Sequence, residues 1–431
     1  MKYVYIETYG CSANQNNSEI VRGLLKGAGY ELTNNFDIAD IVIINSCIVK
    51  SKTENKIKRR VQDLKGCRKL VIVGGCMPET DAKELINLNP EVLLLGVKHF
   101  KDIVKLIRDF YEGNWGWEKQ EKYLERGDEI KVGLPKISQN KLISITQISE
   151  GCLGNCSYCK TKLAKGELVS FDMDKIVKSV ESDLQQGAKE VWITSQDCVS
   201  YGFDKYGSSK LPELLQRILE LKHRFKLRLG MMNPDGLKLI LNKMIDVFKD
   251  KKMYKFLHIP VQSGSDKVLK DMNRKYDVKI VKMIVEMFRK EFPNITIATD
   301  IIVGYPSETD NDFKDSLELV KYLKPDVFNL SKFSKHKGTK AWNLKELSGD
   351  VISKRASELM NCHRNIALEN KKKFIGLKIK VFVNNSLGNG LFEARDENYN
   401  IVLINGKDLL GKTVEVVVKN VGVHHLMGGI E

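Results

Sequence analysis

The chain has 431 residues, 42% hydrophobic and 29% charged, with a formal net charge of +15. That length exceeds one ordinary core and calls for two or three domains, while the composition excludes a disordered or fibrous chain. No apolar run approaches the roughly 20 residues that span a bilayer, and the N-terminus, Met1-Lys-Tyr-Val-Tyr-Ile-Glu7, turns polar too early for a secretory signal; a cytoplasmic protein without membrane attachment is expected.

Three β-branched runs open the chain, at residues 2–8, 40–45 and 69–74. They read as strands buried on both faces. Helical patterns follow each, at about 15–28, 50–65 and 79–88. This alternation predicts a small parallel α/β domain of flavodoxin or Rossmann type over residues 1–111. Residues 112–137 are charged and aperiodic and read as a linker. A second series of strands follows at 142–146, 190–194, 226–230, 255–259, 296–302 and 327–330. Amphipathic helices separate them, so residues 138–369 fit a full or partial parallel (β/α) barrel. From 370 to 431 the pattern changes to short strands at 378–383, 390–394, 400–404 and 413–418, joined by turns such as Asn405-Gly406. This reads as a small antiparallel β-barrel of OB type.

Nine cysteines in a long chain of this kind are metal ligands or reactive thiols before disulfides. Cys152, Cys156 and Cys159 lie in Glu150-Gly-Cys-Leu-Gly-Asn-Cys-Ser-Tyr-Cys159, directly after the first barrel strand. That is the mouth where barrel active sites sit. Three thiolates can hold three irons of a cubane cluster and leave the fourth open to a small molecule. A zinc knuckle would need a fourth ligand, and no nearby His or Cys supplies one. Cys11, Cys47 and Cys76 each stand where a strand of the first domain ends. Strand ends of an open parallel sheet converge on one crevice, so three residues distant in sequence can meet there. The alternative is three unrelated core thiols. Cys67, Cys198 and Cys362 lack such placement and read as ordinary thiols.

The C-x3-C-x2-C loop with an aromatic residue before its last Cys resembles the radical S-adenosylmethionine (SAM) superfamily. Tyr9-Gly-Cys-Ser-Ala-Asn14, Asn45-Ser-Cys47 and Gly74-Gly-Cys-Met-Pro78 look like the N-terminal domain of the methylthiotransferases. Thr194-Ser-Gln-Asp197, His258-Ile-Pro-Val-Gln-Ser-Gly264 and Thr299-Asp-Ile-Ile-Val-Gly-Tyr-Pro306 resemble that family's strand-end signatures, and the C-terminal barrel resembles the TRAM RNA-binding module. Two departures fall on the substrate side: Tyr305-Pro-Ser-Glu-Thr309 for a Phe-Pro-Gly-Glu-Thr-like turn, and Phe333-Ser-Lys-His-Lys-Gly-Thr339 for a Pro- and Arg-containing stretch.

The resemblance implies two [4Fe-4S] clusters, one on Cys152, Cys156 and Cys159 and one on Cys11, Cys47 and Cys76, with SAM at the former. It implies radical insertion of a methylthio group into an aromatic C–H bond that no ordinary base could activate. Tyr158 is then expected near the adenine of SAM, Gln196 and Asp197 near its ribose, and Gly304, Gln262 and Ser263 around the pocket. No acid–base pair is required.

The implied substrate is a tRNA adenosine beside the anticodon, with an electron donor such as flavodoxin or ferredoxin and a monomeric enzyme. The basic balance agrees with RNA, as does an OB-like module. Lys50–Arg60 is a basic segment at the cluster end of its domain, though a solvated helix face would look the same. Cys159-Lys-Thr-Lys-Leu-Ala-Lys-Gly166 looks most like the archaeal and eukaryotic branch, which acts on N6-threonylcarbamoyladenosine. The isopentenyladenosine branch, the branch that modifies a ribosomal-protein aspartate, and a non-catalytic iron–sulfur RNA-binding or redox-sensing protein remain as alternatives.

Overall fold

A computed structural model describes residues 1–125, 127 and 130–430. Arg126, Asp128 and Glu129 of the expected linker, and Glu431 at the end of the expected C-terminal module, lie outside the described residues. The first unit is a five-stranded sheet, all parallel: β1 (Tyr3–Thr8), β2 (Glu31–Thr33), β3 (Ile41–Ser46), β4 (Leu70–Gly75) and β5 (Leu93–Gly96). Their order is β2-β1-β3-β4-β5, the flavodoxin order. Helices α1 (Ser12–Gly27), α2 (Ser51–Asp63) and α3 (Cys76–Leu88) follow β1, β3 and β4. β3 and β4 are buried at every position, which is why their apolar residues run continuously rather than alternate. The edge strands β2 and β5 were not anticipated. β2 is a three-residue, half-buried strand, and Leu-Leu-Leu-Gly in β5 lacks the β-branched residues that mark strands.

The sheet edge at β5 is closed by a residue from the expected linker. Gln120 accepts from the Leu94 amide at 2.9 Å and donates to the Leu94 carbonyl at 2.7 Å. Its side chain thus stands in for a neighbouring strand.

Six parallel strands form the central unit: β6 (Ile143–Gln147), β9 (Glu190–Thr194), β10 (Lys226–Leu229), β11 (Phe256–His258), β12 (Thr296–Val303) and β13 (Val327–Lys332). Between β6 and β9 a short hairpin pairs β7 (Ser149–Glu150) with β8 (Val169–Ser170). The six divide into β10-β9-β6 and β11-β12-β13, and the halves join through Leu227, whose amide donates to the Lys252 carbonyl and whose carbonyl accepts from Tyr254. Among the described residues β6 and β13 do not pair, so the barrel is partial. Helix α1 packs on the free flank of β6. The Ile137 amide donates to the Glu19 carbonyl at 2.9 Å, and a Cβ on Gly23 would fall 2.3 Å from the Pro135 carbonyl oxygen.

The C-terminal unit is a closed barrel in the order β14-β15-β16-β18-β17: β14 (Lys378–Gly388), β15 (Leu391–Arg395), β16 (Ile401–Asn405), β17 (Thr413–Val421) and β18 (Leu426–Gly429). β18 went unanticipated because Leu-Met-Gly-Gly carries no strand signature. It closes the barrel and pairs parallel with β16, the one departure from antiparallel pairing. Three contacts fix this unit to the central one: Lys255 amide to Glu397 carbonyl, Asn384 Nδ2 to Glu190, and Asn140 Nδ2 to the Asn384 carbonyl. Asn140, Glu190 and Lys255 precede or begin β6, β9 and β11, at the barrel end opposite the cysteine loop. Among the described residues no helix is long and apolar enough to cross a membrane.

Candidate iron–sulfur and SAM site

Cys11, Cys47 and Cys76 follow β1, β3 and β4, which are adjacent in the sheet with Thr8 opposite Asn45 and Ser46 opposite Gly75. The gap between β1 and β3 is the topological switch point, where open α/β sheets bind ligands. Side-chain amides lock the three loops together. Asn14 Nδ2 donates to the carbonyls of Tyr9 (2.7 Å) and Ser46 (2.8 Å), and Asn45 Nδ2 donates to the Asn14 carbonyl (2.7 Å). Ser46 Oγ donates to the Gly74 carbonyl and accepts from the Met77 amide. Gly10 has φ +108°, and a Cβ there would lie 2.7 Å from Cys47 Sγ; only glycine lets the first loop come so near the second thiol.

The second set lies on the loop after β7. Cys152 Sγ accepts from the Gly154 amide at 3.2 Å. The Cys159 amide donates to the Cys156 carbonyl, and the Cys152 amide to the Gly166 carbonyl. Cys159 stands at the N-cap position of helix α4 (Lys160–Lys165) without a side-chain capping bond. Asn273 Nδ2 clamps the loop from outside through the Asn155 carbonyl at 2.6 Å.

Both sets suit a cluster with one open iron. Each offers three soft donors, glycine-lined access, and thiols close enough to influence one another electrostatically. Among the described residues no three His, Cys, Asp or Glu side chains converge tightly enough for a single metal ion; four irons stand further apart than one. Burial pushes Cys76 and Cys152 each up to about 12, and raises Cys47 and Cys159. Iron binding must therefore displace their protons, since a coordinating thiol is deprotonated outright.

Of the residues expected to hold SAM, Tyr158 lies on the loop of the second set and Asp197 acts electrostatically on Cys152. Tyr158 packs beside Val268, Met272, Tyr305 and Phe333, and its hydroxyl accepts from Arg274 at 2.7 Å. Arg274 also donates to Asn233 Oδ1, while its Nε is buried without a protein partner. Gln196 likewise keeps a buried, unpartnered Oε1. Asp197 is already engaged: it caps the turn at Val199, accepts from Ser200 Oγ at 2.6 Å and from the Asn233 amide. Gln262 holds φ +77° and bonds through its backbone to Asp300 and Ile302 on β12. Ser263 is fully buried, and its hydroxyl accepts from the Ser265 amide. The space a Cβ on Gly304 would need is taken by Ile352. Sequence reasoning passed over Arg274, Asn233 and the pair His258 Nε2–Asp300 Oδ2 (2.6 Å), which joins β11 to β12. His258 and Asp300 stand inside the strand-end motifs 258–264 and 299–306, whereas Arg274 has no signal beyond its charge.

Cys198 is buried in the barrel core, Cys67 faces the Lys69 carbonyl and Cys362 lies by Lys321 and Glu318. On α2, Lys52, Lys56 and Arg59 are exposed beside the Cys47 loop, while Lys58 and Arg60 pair with Glu84 and Glu7.

Residues 3–96 match the family described as Uncharacterized protein family UPF0004, and residues 146–320 match the Radical SAM superfamily. The chain is 40% identical over 99% of its length to a probable threonylcarbamoyladenosine tRNA methylthiotransferase of Archaeoglobus fulgidus, covering 98% of that protein. It is 35% identical over 99% of its length to the Xenopus laevis threonylcarbamoyladenosine tRNA methylthiotransferase, covering 76% of it. Among solved structures, a radical SAM methyltransferase, TsrM, from Kitasatospora setae shares the fold at TM-score 0.58 and 13% identity, over 79% of this chain and 75% of that one. With two cysteine triplets at two strand-end crevices and end-to-end similarity at this level, the chain belongs to the threonylcarbamoyladenosine tRNA methylthiotransferases of the radical SAM superfamily.

Proposed function

We propose that this protein adds a methylthio group to C2 of N6-threonylcarbamoyladenosine beside the anticodon of tRNA. The observation that carries the reading is the pair of separate three-thiol sites on one chain, each able to leave one iron open. When bound, the two [4Fe-4S] clusters and SAM would relay the electron, form the hydrogen-abstracting radical, and supply the methyl group and an open iron to carry the sulfur. The residues of the chain bind and orient. Cys152, Cys156 and Cys159 hold the cluster that meets SAM, and Cys11, Cys47 and Cys76 hold the one that carries sulfur. Arg274 fixes the Tyr158 ring against the adenine side. Gln196 Oε1 is free to accept a hydrogen bond from the SAM ribose, with Asp197 setting its loop. Gln262, Ser263 and Gly304 shape the pocket wall through their backbone.

The working units are residues 1–111, 138–369 and 370–431, with 112–137 joining the first two. The exposed cations of α2 flank the entrance to the Cys47 loop and suit an RNA backbone. The enzyme acts in the cytoplasm as a monomer on the anticodon stem-loop and draws electrons from a flavodoxin or ferredoxin.

The two cysteine sets make the reading testable. Cys156→Ala should abolish formation of 5′-deoxyadenosine from SAM under anaerobic reduction. Cys47→Ala should retain that product and lose methylthio transfer to tRNA, read by mass spectrometry of nucleosides. Equal loss of SAM cleavage in both variants would refute the division of labour.

A further inference from the structure

A buried ion triad joins the two cysteine sites. Glu150, two residues before Cys152, pairs through one oxygen with Lys131 and through the other with Lys165. All three side chains are at most 4% exposed. Two ammonium groups against one carboxylate leave the triad one positive charge in excess, part of which Glu79 meets at the Lys131 end. Burying such a group is costly unless the surplus charge meets an anion.

The surplus points at the N-terminal thiols. Lys165 ends α4, which begins directly after Cys159, yet α4 packs against α3, the helix that Cys76 starts. Ala164, next to Lys165, is part of the hydrophobic core of the N-terminal sheet. Among the charged groups around Cys76, Lys165 acts most strongly, and it also acts on Cys47. Lys165 is 3% exposed and bound to Glu150 Oε1, which holds its ammonium group in place. The loop of one site therefore delivers a fixed cation to the other.

We propose that Lys165, anchored by Glu150 and Lys131, is a positioning residue that raises the reduction potential of the cluster on Cys11, Cys47 and Cys76 relative to the one on Cys152, Cys156 and Cys159. Reduction adds negative charge to a cluster, and a nearby fixed cation in a dry site stabilises that state; net charge and solvent exposure are what set cluster potentials. The inference rests on the two-cluster reading above.

The test uses the full chain with Cys152, Cys156 and Cys159 all changed to Ala, so that EPR-monitored redox titration reads the N-terminal cluster alone. In that background Lys165→Met should make reduction about tenfold harder, which is 59 mV for a one-electron couple, and Lys165→Arg should restore the midpoint. With Cys11, Cys47 and Cys76 changed to Ala instead, Lys165→Met should shift the remaining cluster by less. A loaded N-terminal cluster whose midpoint ignores Lys165→Met, or equal shifts in both clusters, overturns the proposal. Should Lys165→Met fail to load iron, Lys131→Met removes the same unit of charge from the other oxygen of Glu150. It should move the midpoint in the same direction, and an unmoved midpoint again overturns the proposal. Failure of the two-cluster reading looks different: the triple-alanine background with native Lys165 would hold no cluster at all.

Discussion

At the scale of single residues, the site depends on atoms that are missing as much as on those present. Gly10 combines φ +108° with a thiol where its Cβ would stand. Gly10→Ala should cost stability by about 1–3 kcal/mol, through a strained backbone and displacement of Cys47. Iron analysis should show loss of the N-terminal cluster with the Cys152 cluster retained, and thermal melts should report the cost. The positions of the six cysteines, on one loop and at three strand ends, were legible because spacing and strand-end position are properties of the sequence itself. Lys165 was not. It is one of three lysines within six residues of Cys159, and nothing local marks it as the one that reaches the N-terminal thiols. Its burial is decided by the docking of α4 against α3, a tertiary event.

At the scale of elements, β-branched content decided what could be read. β1, β3 and β4 announced themselves, whereas β2, β5 and β18 are short or leucine- and glycine-rich and gain their strand conformation from a neighbour. Helix α1 shows the same limit. Its first turns bury Asn14, Asn16, Asn17, Ser18 and Glu19 all round the helix, because one side meets its own sheet and the other meets β6. Among these, burial pushes Glu19 up to about 7 from an ordinary 4.5, with Lys136 and Arg22 pulling it down and Asp183 pushing it up. A carboxyl whose folded value is raised contributes stability that is complete below the unfolded value and lost as pH climbs through the folded one. Docking of α1 should thus weaken between about pH 4.5 and 7. Glu19→Gln should flatten the melting temperature across that window relative to the native chain and raise it at pH 8. A slope identical to that of the native protein would contradict the assignment.

Over the whole molecule, the small barrel sits at the end of the central barrel away from the thiols. An RNA held at both places must run along the flank of the protein, a distance no free nucleoside covers. Lys380, Lys407 and Lys412 of the small barrel are exposed. Changing all three to Ala should weaken tRNA binding and reduce the slope of log affinity against log salt, with RNA-independent SAM cleavage unaffected. An unchanged salt slope would remove this face from the tRNA path. The three-unit architecture was legible from the change of hydrophobic period along the chain; the mutual placement of the units was not, because it rests on single contacts such as Asn384 with Glu190.

The buried triad has one further consequence, for assembly. The N-terminal sheet and the thiols of Cys11, Cys47 and Cys76 come from the first 96 residues, but Lys165 arrives only when the central barrel docks. Binding linkage is reciprocal. Whatever negative charge the thiols gather makes docking more favourable, and docking in turn favours that charge. Loading of the first site and closure of the two domains thus reinforce each other, so the chain is most firmly joined when the crevice of Cys11, Cys47 and Cys76 is filled.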